Sequence, residues 1–348
     1  MNFLAGDLGG TKIILAIYES KKSNEPIYKK RFISKEWDSF NNILINFFED
    51  IPSNINPPKV GCIAVAGPVL NGKVNLTNLN WSFSEQSIKK RFLLKEFSLI
   101  NDFACVIYGI PFLHHNQYEV IHKGKQTKNL EKISLHAVIG AGTGLGISKG
   151  LISKTKIYPF PSEGGHTDFS PKTNNEWDLL NWLKKDLNLE RISKERIISG
   201  PGLSNIARWK LEKKDCQNHP LKVLLSHYSS EQEIARKFPA EVSKWAENGD
   251  QAMKEVIELW LSAYGSIAGD LAIHELSYGG IWIFGGTASK HLSGLKSEFF
   301  LKSYKNKGRL KFITESIPIR VIVDEEVGLF SASCRAKMLL KETKQFED

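Results

Sequence analysis

The apolar positions of the chain fall into two textures. Through the first third they come as short unbroken runs closed by glycine. Residues 3–7 form one such run and end in Asp7; Gly9-Gly10-Thr11 follows, and residues 13–18 form a second run. Strand, glycine-rich turn, strand predicts a hairpin. The pattern returns at residues 136–139, followed by Gly140-Ala141-Gly142-Thr143-Gly144-Leu145-Gly146, with a second short strand expected around Leu151. Between the hairpins, residues 60–66 read as a buried strand stopped by Gly67-Pro68. Leu99-Ile100 reads as a short strand leading into Asn101-Asp102. Residues 37–48 and 84–92 have helical spacing, and the polar, lysine-rich stretch 117–131 reads as a surface excursion.

The second half is more helical. Residues 176–187 place Trp177, Leu180, Leu183 and Leu187 on one expected face. Ser199-Gly200-Pro201-Gly202 reads as a turn into a helix over 203–211. A long helix is expected over 250–276, with Val256, Trp260, Ala263, Ile267 and Leu271 as its stripe. Gly265 and Gly269 within it signal either a break or a close helix contact. A strand over 281–284 closes on Gly285-Gly286-Thr287 and leads to a helix; a strand over 319–323 and a helix over 326–341 complete the series. This alternation predicts an α/β fold with mixed strand directions. The 348 residues suggest about two domains. The expected division is a small N-terminal α/β lobe over 1–110 and a larger lobe with helical insertions over 111–348.

Composition narrows the function classes. With 41% hydrophobic and 24% charged residues, a mostly disordered chain is not expected. The net charge of +9 raises a nucleic-acid reading, but the basic residues are dispersed among acids. No run reaches the five or six like charges of a basic tail, and no zinc finger or helix-turn-helix precedes the first strand. Neither nucleic acid nor a membrane is therefore an expected partner. The charge is left with a modest role in drawing in an anionic ligand. Cys62, Cys105, Cys216 and Cys334 are far apart, so neither a disulfide framework nor a structural zinc site is suggested. They read as buried small hydrophobes in a reducing compartment. The N-terminus lacks a basic region, the C-terminus lacks a lipidation cysteine, and no stretch approaches the ~18 apolar residues of a membrane span. A cytoplasmic protein is expected.

Glycine-rich loops bind phosphate because bare backbone can approach an anion with several N–H groups. Residues 67–74 nearly match the Walker A spacing but fail at Val74, where Ser or Thr must meet Mg²⁺. The dinucleotide fingerprint beginning at Gly140 fails at Leu145. The hairpin tips are better candidates. In the first, Asp7 stands close to two glycines and the Thr11 hydroxyl, suited to a hydrated Mg²⁺ beside phosphates. The second tip, residues 140–146, and Gly285-Gly286 after a strand offer further backbone approaches.

Asn101, Asp102, Glu163, His166 and Glu195 are polar residues able to accept or donate hydrogen bonds in a binding site. On chemistry alone Asp102 reads first as a helix N-cap before Phe103. Glu195 reads as a surface acid. Glu163 and His166, three apart on a glycine-rich loop, lack the further nearby ligands that zinc needs.

Together these residues carry a family resemblance. Asp7-Leu8-Gly9-Gly10-Thr11 and residues 140–146 resemble the two phosphate loops of the sugar kinase, heat-shock chaperone and actin superfamily, and Gly285-Gly286 its adenosine motif. More narrowly, the chain resembles bacterial glucokinases of the hexokinase type. The matching stretches are Leu76-Thr77-Asn78-Leu79-Asn80-Trp81, Ile100-Asn101-Asp102-Phe103, Glu163-Gly164-Gly165-His166-Thr167-Asp168-Phe169 and Glu195-Arg196-Ile197-Ile198-Ser199-Gly200-Pro201-Gly202. Thr167-Asp168-Phe169-Ser170 brings no cysteine where the zinc-containing ROK group carries its cluster. The resemblance implies a two-lobed actin-like ATPase (ribonuclease H-like) fold, with ATP and sugar in the interlobe cleft. It implies ATP-dependent phosphorylation of the glucose 6-hydroxyl, with Asp102 as general base. Asn101, Glu163, His166 and Glu195 would hold the remaining hydroxyls. Gly6, Asp7, Leu8, Gly9, Gly10, Thr11, Gly140, Gly142, Thr143, Gly144, Gly285 and Gly286 would serve the nucleotide. Asp7 would anchor Mg²⁺ indirectly, with no direct protein ligand to the metal. A homodimer is compatible with the resemblance. The alternatives are a kinase for mannose or an amino sugar, and, outside enzymes, a sugar-binding regulator or actin-like filament protein.

Overall fold

The computed structural model describes residues 1–21, 25–76, 78–125 and 133–345. Thr77 of the 76–81 stretch and residues 126–131 of the lysine-rich stretch lie outside them. The chain divides into two compact units: Met1–His115, Thr155–Pro161 and Asp324–Asp348 make up the first, Asn116–Lys154 and Ser162–Val323 the second. A single boundary near residue 110 would leave the final helix with the second unit, whereas contacts group it with the first.

The first unit is built on a sheet ordered Tyr28–Ile33, Lys12–Glu19, Asn2–Leu8, Val60–Val65, Glu96–Asn101. The first hairpin is antiparallel, with Leu8 opposite Ile13. The strands Asn2–Leu8, Val60–Val65 and Glu96–Asn101 run parallel. Alternation along the strands fills two cores. Leu4, Leu8, Ile13, Leu15, Ile63 and Val65 pack with Phe40, Ile43, Leu44 and Phe47. These last four recur at helical spacing on Phe40–Glu49, whose N-terminus is capped by Ser39 accepting the Asn42 N–H at 3.2 Å. On the other face Phe3, Ala5, Ile14, Cys62 and Ala64 pack with Cys105 and with Leu329, Ala332, Ala336 and Leu339 of the final helix, Val327–Gln345. The Walker-like stretch is a tight hairpin, Val69–Leu70 against Lys73–Leu76, turning at Asn71 and Gly72 with positive φ. It carries no phosphate-loop geometry.

In the second unit the strands Leu145–Ser153, Ile133–Ala141, Gly280–Ile283, Ile319–Ile322 and Tyr118–His122 are neighbours in that order. The second expected hairpin is present, with Ala141 opposite Leu145. The stretch expected to be a surface excursion instead supplies an edge strand, Tyr118–His122, antiparallel to Ile319–Ile322. Helix Asn174–Asp186 buries Glu176, Leu179, Leu180 and Leu183, while Trp177 is 54% exposed. The expected face was therefore offset: Glu176 turns inward because its carboxylate accepts the Thr173 N–H at 3.3 Å in a capping box.

Helix Gln251–Glu275 runs unbroken through both glycines. A Cβ at Gly265 would overlap the Phe300 carbonyl, and one at Gly269 the Tyr304 carbonyl, both on helix Glu298–Lys305. The glycines thus serve close helix contact. Gly265→Ala is expected to destabilise the protein by about 1–3 kcal/mol through overpacking, read as a lower thermal midpoint; an unchanged midpoint would show that the helices can part freely. The same helix is long and apolar enough to cross a membrane by length and composition, contrary to the sequence reading. Yet 67% of its apolar window is buried inside the fold, the mark of a core helix.

Candidate active site

Three parallel strands of the first unit end at one sheet edge, where Leu8 is level with Val65 and Val65 with Asn101. Site residues gather at such carboxyl ends because the backbone there turns outward. Asp7 and Asn101-Asp102 therefore share an edge, two strand spacings or about 10 Å apart. Gly6 and Leu8 are buried within the strand, where a Cβ on Gly6 would lie 2.5 Å from Ile63. Gly9, Gly10 and Thr11 form the turn. It is fixed by the Gly9 N–H donating to the Lys12 carbonyl (3.0 Å), and by Ser34, whose N–H donates to the Thr11 carbonyl (3.0 Å) and whose hydroxyl donates to the Gly9 carbonyl (3.1 Å).

Burial pushes the Asp7 carboxyl up to about 6; Lys12 opposes this and Glu326 adds to it. A carboxylate held in a poorly solvated place beside an open backbone turn is suited to gain from a cation. Mg²⁺ thus fits this corner of the structure, with Asp7 as the residue present to receive it through water.

Asn101, not Asp102, caps the helix Asp102–Gly109. Its side-chain oxygen accepts the Ala104 N–H at 3.1 Å. Its amide nitrogen donates to the Gly67 carbonyl (3.2 Å) and to Asp102 Oδ1 (3.1 Å). Asp102 Oδ1 also accepts the Phe103 N–H at 2.9 Å. The first turn of a helix is a favourable place for negative charge. Asp102 is thus oriented by Asn101 rather than used up as a cap.

The second unit collects the other candidates. The ring of His166 lies 3.8 Å from Glu163 Oε2 through Nε2 and 4.0 Å from Glu195 Oε1 through Nδ1. The other Glu195 oxygen, Oε2, accepts the Leu145 N–H of the hairpin tip at 3.0 Å. A Cβ on Gly144 would come 2.5 Å from that same oxygen, and one on Gly165 would overlap the Leu145 carbonyl. The Gly140–Gly146 tip and the Glu163–His166 loop are therefore joined through Glu195 and Gly165. The Gly142 carbonyl accepts the Gly200 N–H at 2.8 Å, and the Gly142 N–H donates to the Gly144 carbonyl at 2.8 Å. Gly285, with φ +116°, lies against Ala141, and the Thr287 hydroxyl donates to the Ala141 carbonyl at 2.6 Å. The adenosine candidate is thus placed beside the second loop, while Thr143 sits at its tip.

Glycines at 10, 142 and 286 stand apart. A Cβ at each would meet nothing within 4 Å, and none has positive φ. Neither internal packing nor backbone conformation demands glycine there. Each is open to close approach from outside, the access that a phosphate-binding backbone would need.

Sequence reasoning missed the capping and orienting role of Asn101, the Leu145 N–H on Glu195, and the Ser34 and Thr287 ties. Only the doubled glycine before His166 hinted at the close contact made by Gly165.

Comparison with known proteins gives a consistent result. A family model described as glucokinase matches residues 4–339. The chain is 34% identical over 345 residues to a glucokinase of Nostoc sp., covering 96% of this chain and 99% of that one. It is 33% identical to a glucokinase of Synechocystis sp., covering 97% and 98%. Among solved structures, it is similar to a glucokinase from an Antarctic psychrotroph, with a TM-score of 0.78, 27% identity and coverage of 96% and 98%. It shares its fold with a ROK family glucokinase from Streptomyces griseus, solved with glucose and AMPPNP, at a TM-score of 0.58, 18% identity and coverage of 97% and 100%.

Proposed function

Since the chain belongs to the glucokinase family, we propose that it transfers the γ-phosphoryl group of ATP to the 6-hydroxyl of glucose, giving ADP and glucose 6-phosphate. The observation that carries this is the shared sheet edge of Asp7 and Asp102, with Gly10, which no packing in the fold requires, in the turn after Asp7.

Phosphoryl transfer asks for positioning, charge neutralisation and a base near the attacking hydroxyl. Asp102, aimed by Asn101, takes the proton of the 6-hydroxyl as that oxygen attacks phosphorus. Glu163, His166 and Glu195 hold the remaining hydroxyls. Asn101 has both amide hydrogens engaged, so it contributes to the sugar only through its oxygen. Gly10, Thr11, Thr143 and Gly144 offer backbone and hydroxyl donors to the phosphates, Gly9, Gly140 and Gly142 shape the two turns, and Gly285 and Gly286 admit the adenosine end. Mg²⁺, when bound, neutralises phosphate oxygens, with Asp7 as its indirect anchor. The reaction is proposed as the opening step of glycolysis, in the cytoplasm, with small molecules rather than nucleic acid or membrane as partners and a homodimer as the assembly.

A panel of sugars and donors in a coupled assay tests the assignment. Glucose with ATP is expected to give the highest kcat/KM. Turnover on mannose or glucosamine far above glucose would reassign the acceptor, and preference for ADP or polyphosphate would reassign the donor.

Glu195 sits between the sugar loop and the second phosphate loop, so Gly144 is needed for more than phosphate. Gly144→Ala is expected to raise the KM for glucose at least about tenfold by displacing the Glu195 carboxylate. Steady-state kinetics with either substrate varied would show this. A change confined to the ATP KM would mean that Gly144 serves the nucleotide alone.

A further inference from the structure

We propose that Gly328 is a positioning residue for the Asp7 carboxylate, holding it beside the first phosphate turn by the absence of a side chain. The inference deepens the reading of Asp7 as the acid of the nucleotide site and rests on it.

Strand alternation turns Asp7 to the same face as Phe3 and Ala5, the face covered by the final helix. The first turn of that helix meets the carboxyl group directly. A Cβ built on Gly328 would lie 2.6 Å from Asp7 Oδ2, 2.8 Å from Cγ and 3.1 Å from Oδ1, and these are its three nearest atoms. The whole carboxyl group therefore rests on the bare Cα.

Nothing local asks for glycine at this point. Gly328 has no positive φ and lies inside helix Val327–Gln345, where alanine is the better helix former by about 1 kcal/mol. The helix start is also held in place. Glu326 pairs with Lys29 at 3.0 Å and with Arg31 at 2.5 Å on the edge strand Tyr28–Ile33. The Glu326 N–H donates to Asp324 Oδ1 at 2.9 Å. Leu329, Ala332 and Ala336 of the same helix are buried in the core, so a methyl group at 328 displaces the carboxylate rather than the packed helix. Restoring ordinary contact from 2.6 Å requires a shift of about 1 Å. Displacements of that size in a positioning group can lower a rate about 10²-fold.

The test uses Gly328→Ala, Asp7→Ala and the double variant of the full chain, with Asp7→Asn assayed alongside. Gly328→Ala is expected to lower kcat/KM for ATP by about 10–100-fold, while the glucose dissociation constant stays within twofold of the parent. Its thermal midpoint is expected to fall in the Asp7 protein and to rise in the Asp7→Ala background, where the methyl group has room and helix propensity favours it. A merely structural glycine would shift the midpoint by the same amount in both backgrounds and would not separate ATP from glucose. ATP kinetics within twofold of the parent, or midpoint shifts that simply add, would overturn the inference. Parent-like turnover in Asp7→Asn would instead remove the reading of Asp7 on which it rests.

Discussion

Asp102→Asn is expected to lower kcat by about 10²–10⁴, the range for loss of a general base, while the dissociation constant for glucose changes little. The geometry explains why the two quantities separate. Asp102 takes two hydrogen bonds on one oxygen, from the Asn101 amide and the Phe103 N–H. Asparagine can keep its own oxygen in that position. What it cannot do is accept the hydroxyl proton. Isothermal titration with glucose and a steady-state assay on the same preparation read both numbers. Turnover within threefold of the parent would remove Asp102 as the base. Loss of glucose binding in parallel with turnover would recast it as a binding residue.

The second large effect concerns Asp7, where function and stability pull apart. Its carboxyl is raised from 3.8 to about 6, first by burial. Between about pH 4 and pH 6 the folded protein keeps a proton that the unfolded chain has already lost. Stability therefore falls as pH rises through that window. Above pH 6 the ionised group opposes folding by about 1–3 kcal/mol. Asp7→Asn is accordingly expected to raise the thermal midpoint at pH 7, with the gain fading as pH drops below about 4. The same variant is expected to lose turnover by at least about 10² if Asp7 anchors the charge that neutralises phosphate. Thermal unfolding at pH 4 and pH 7, with the assay at pH 7, checks both signs. A lower midpoint at pH 7 would show that the carboxylate stabilises the fold instead.

Some of this was readable along the chain. Both hairpin tips were visible because a glycine-rich turn between apolar runs has few other uses. The long helix over 250–276 was visible in its stripe, and its two glycines already signalled close packing as one of two outcomes. Other features were hidden by short-range rules. Tyr118–His122 is a partly exposed edge strand whose two aliphatic residues, Val120 and Ile121, are adjacent and do not alternate, so its sequence shows no strand pattern. The Asn174–Asp186 face was misplaced because Glu176, a charged residue, takes a buried position for its cap. Asp102 looked like a cap until Asn101 was found to hold that post.

The candidate site divides in the same way. Candidate residues and loops could be singled out by type, because sugar and phosphate chemistry would restrict them. Their couplings could not. Glu195 and Leu145 are 50 residues apart, and Asp7 meets Gly328 across most of the chain. A glycine near a helix start gives no signal in one sequence. Only the packed structure shows that the nearest neighbour of the missing side chain is the Asp7 carboxylate.

The most direct test of the central claim is product analysis by phosphorus NMR on the purified chain with ATP, Mg²⁺ and either glucose or 6-deoxyglucose. Glucose is expected to give glucose 6-phosphate and ADP in equal amounts, and 6-deoxyglucose neither above background. ADP formation without glucose 6-phosphate, or equal ATP consumption with the two sugars, would contradict transfer to the 6-hydroxyl.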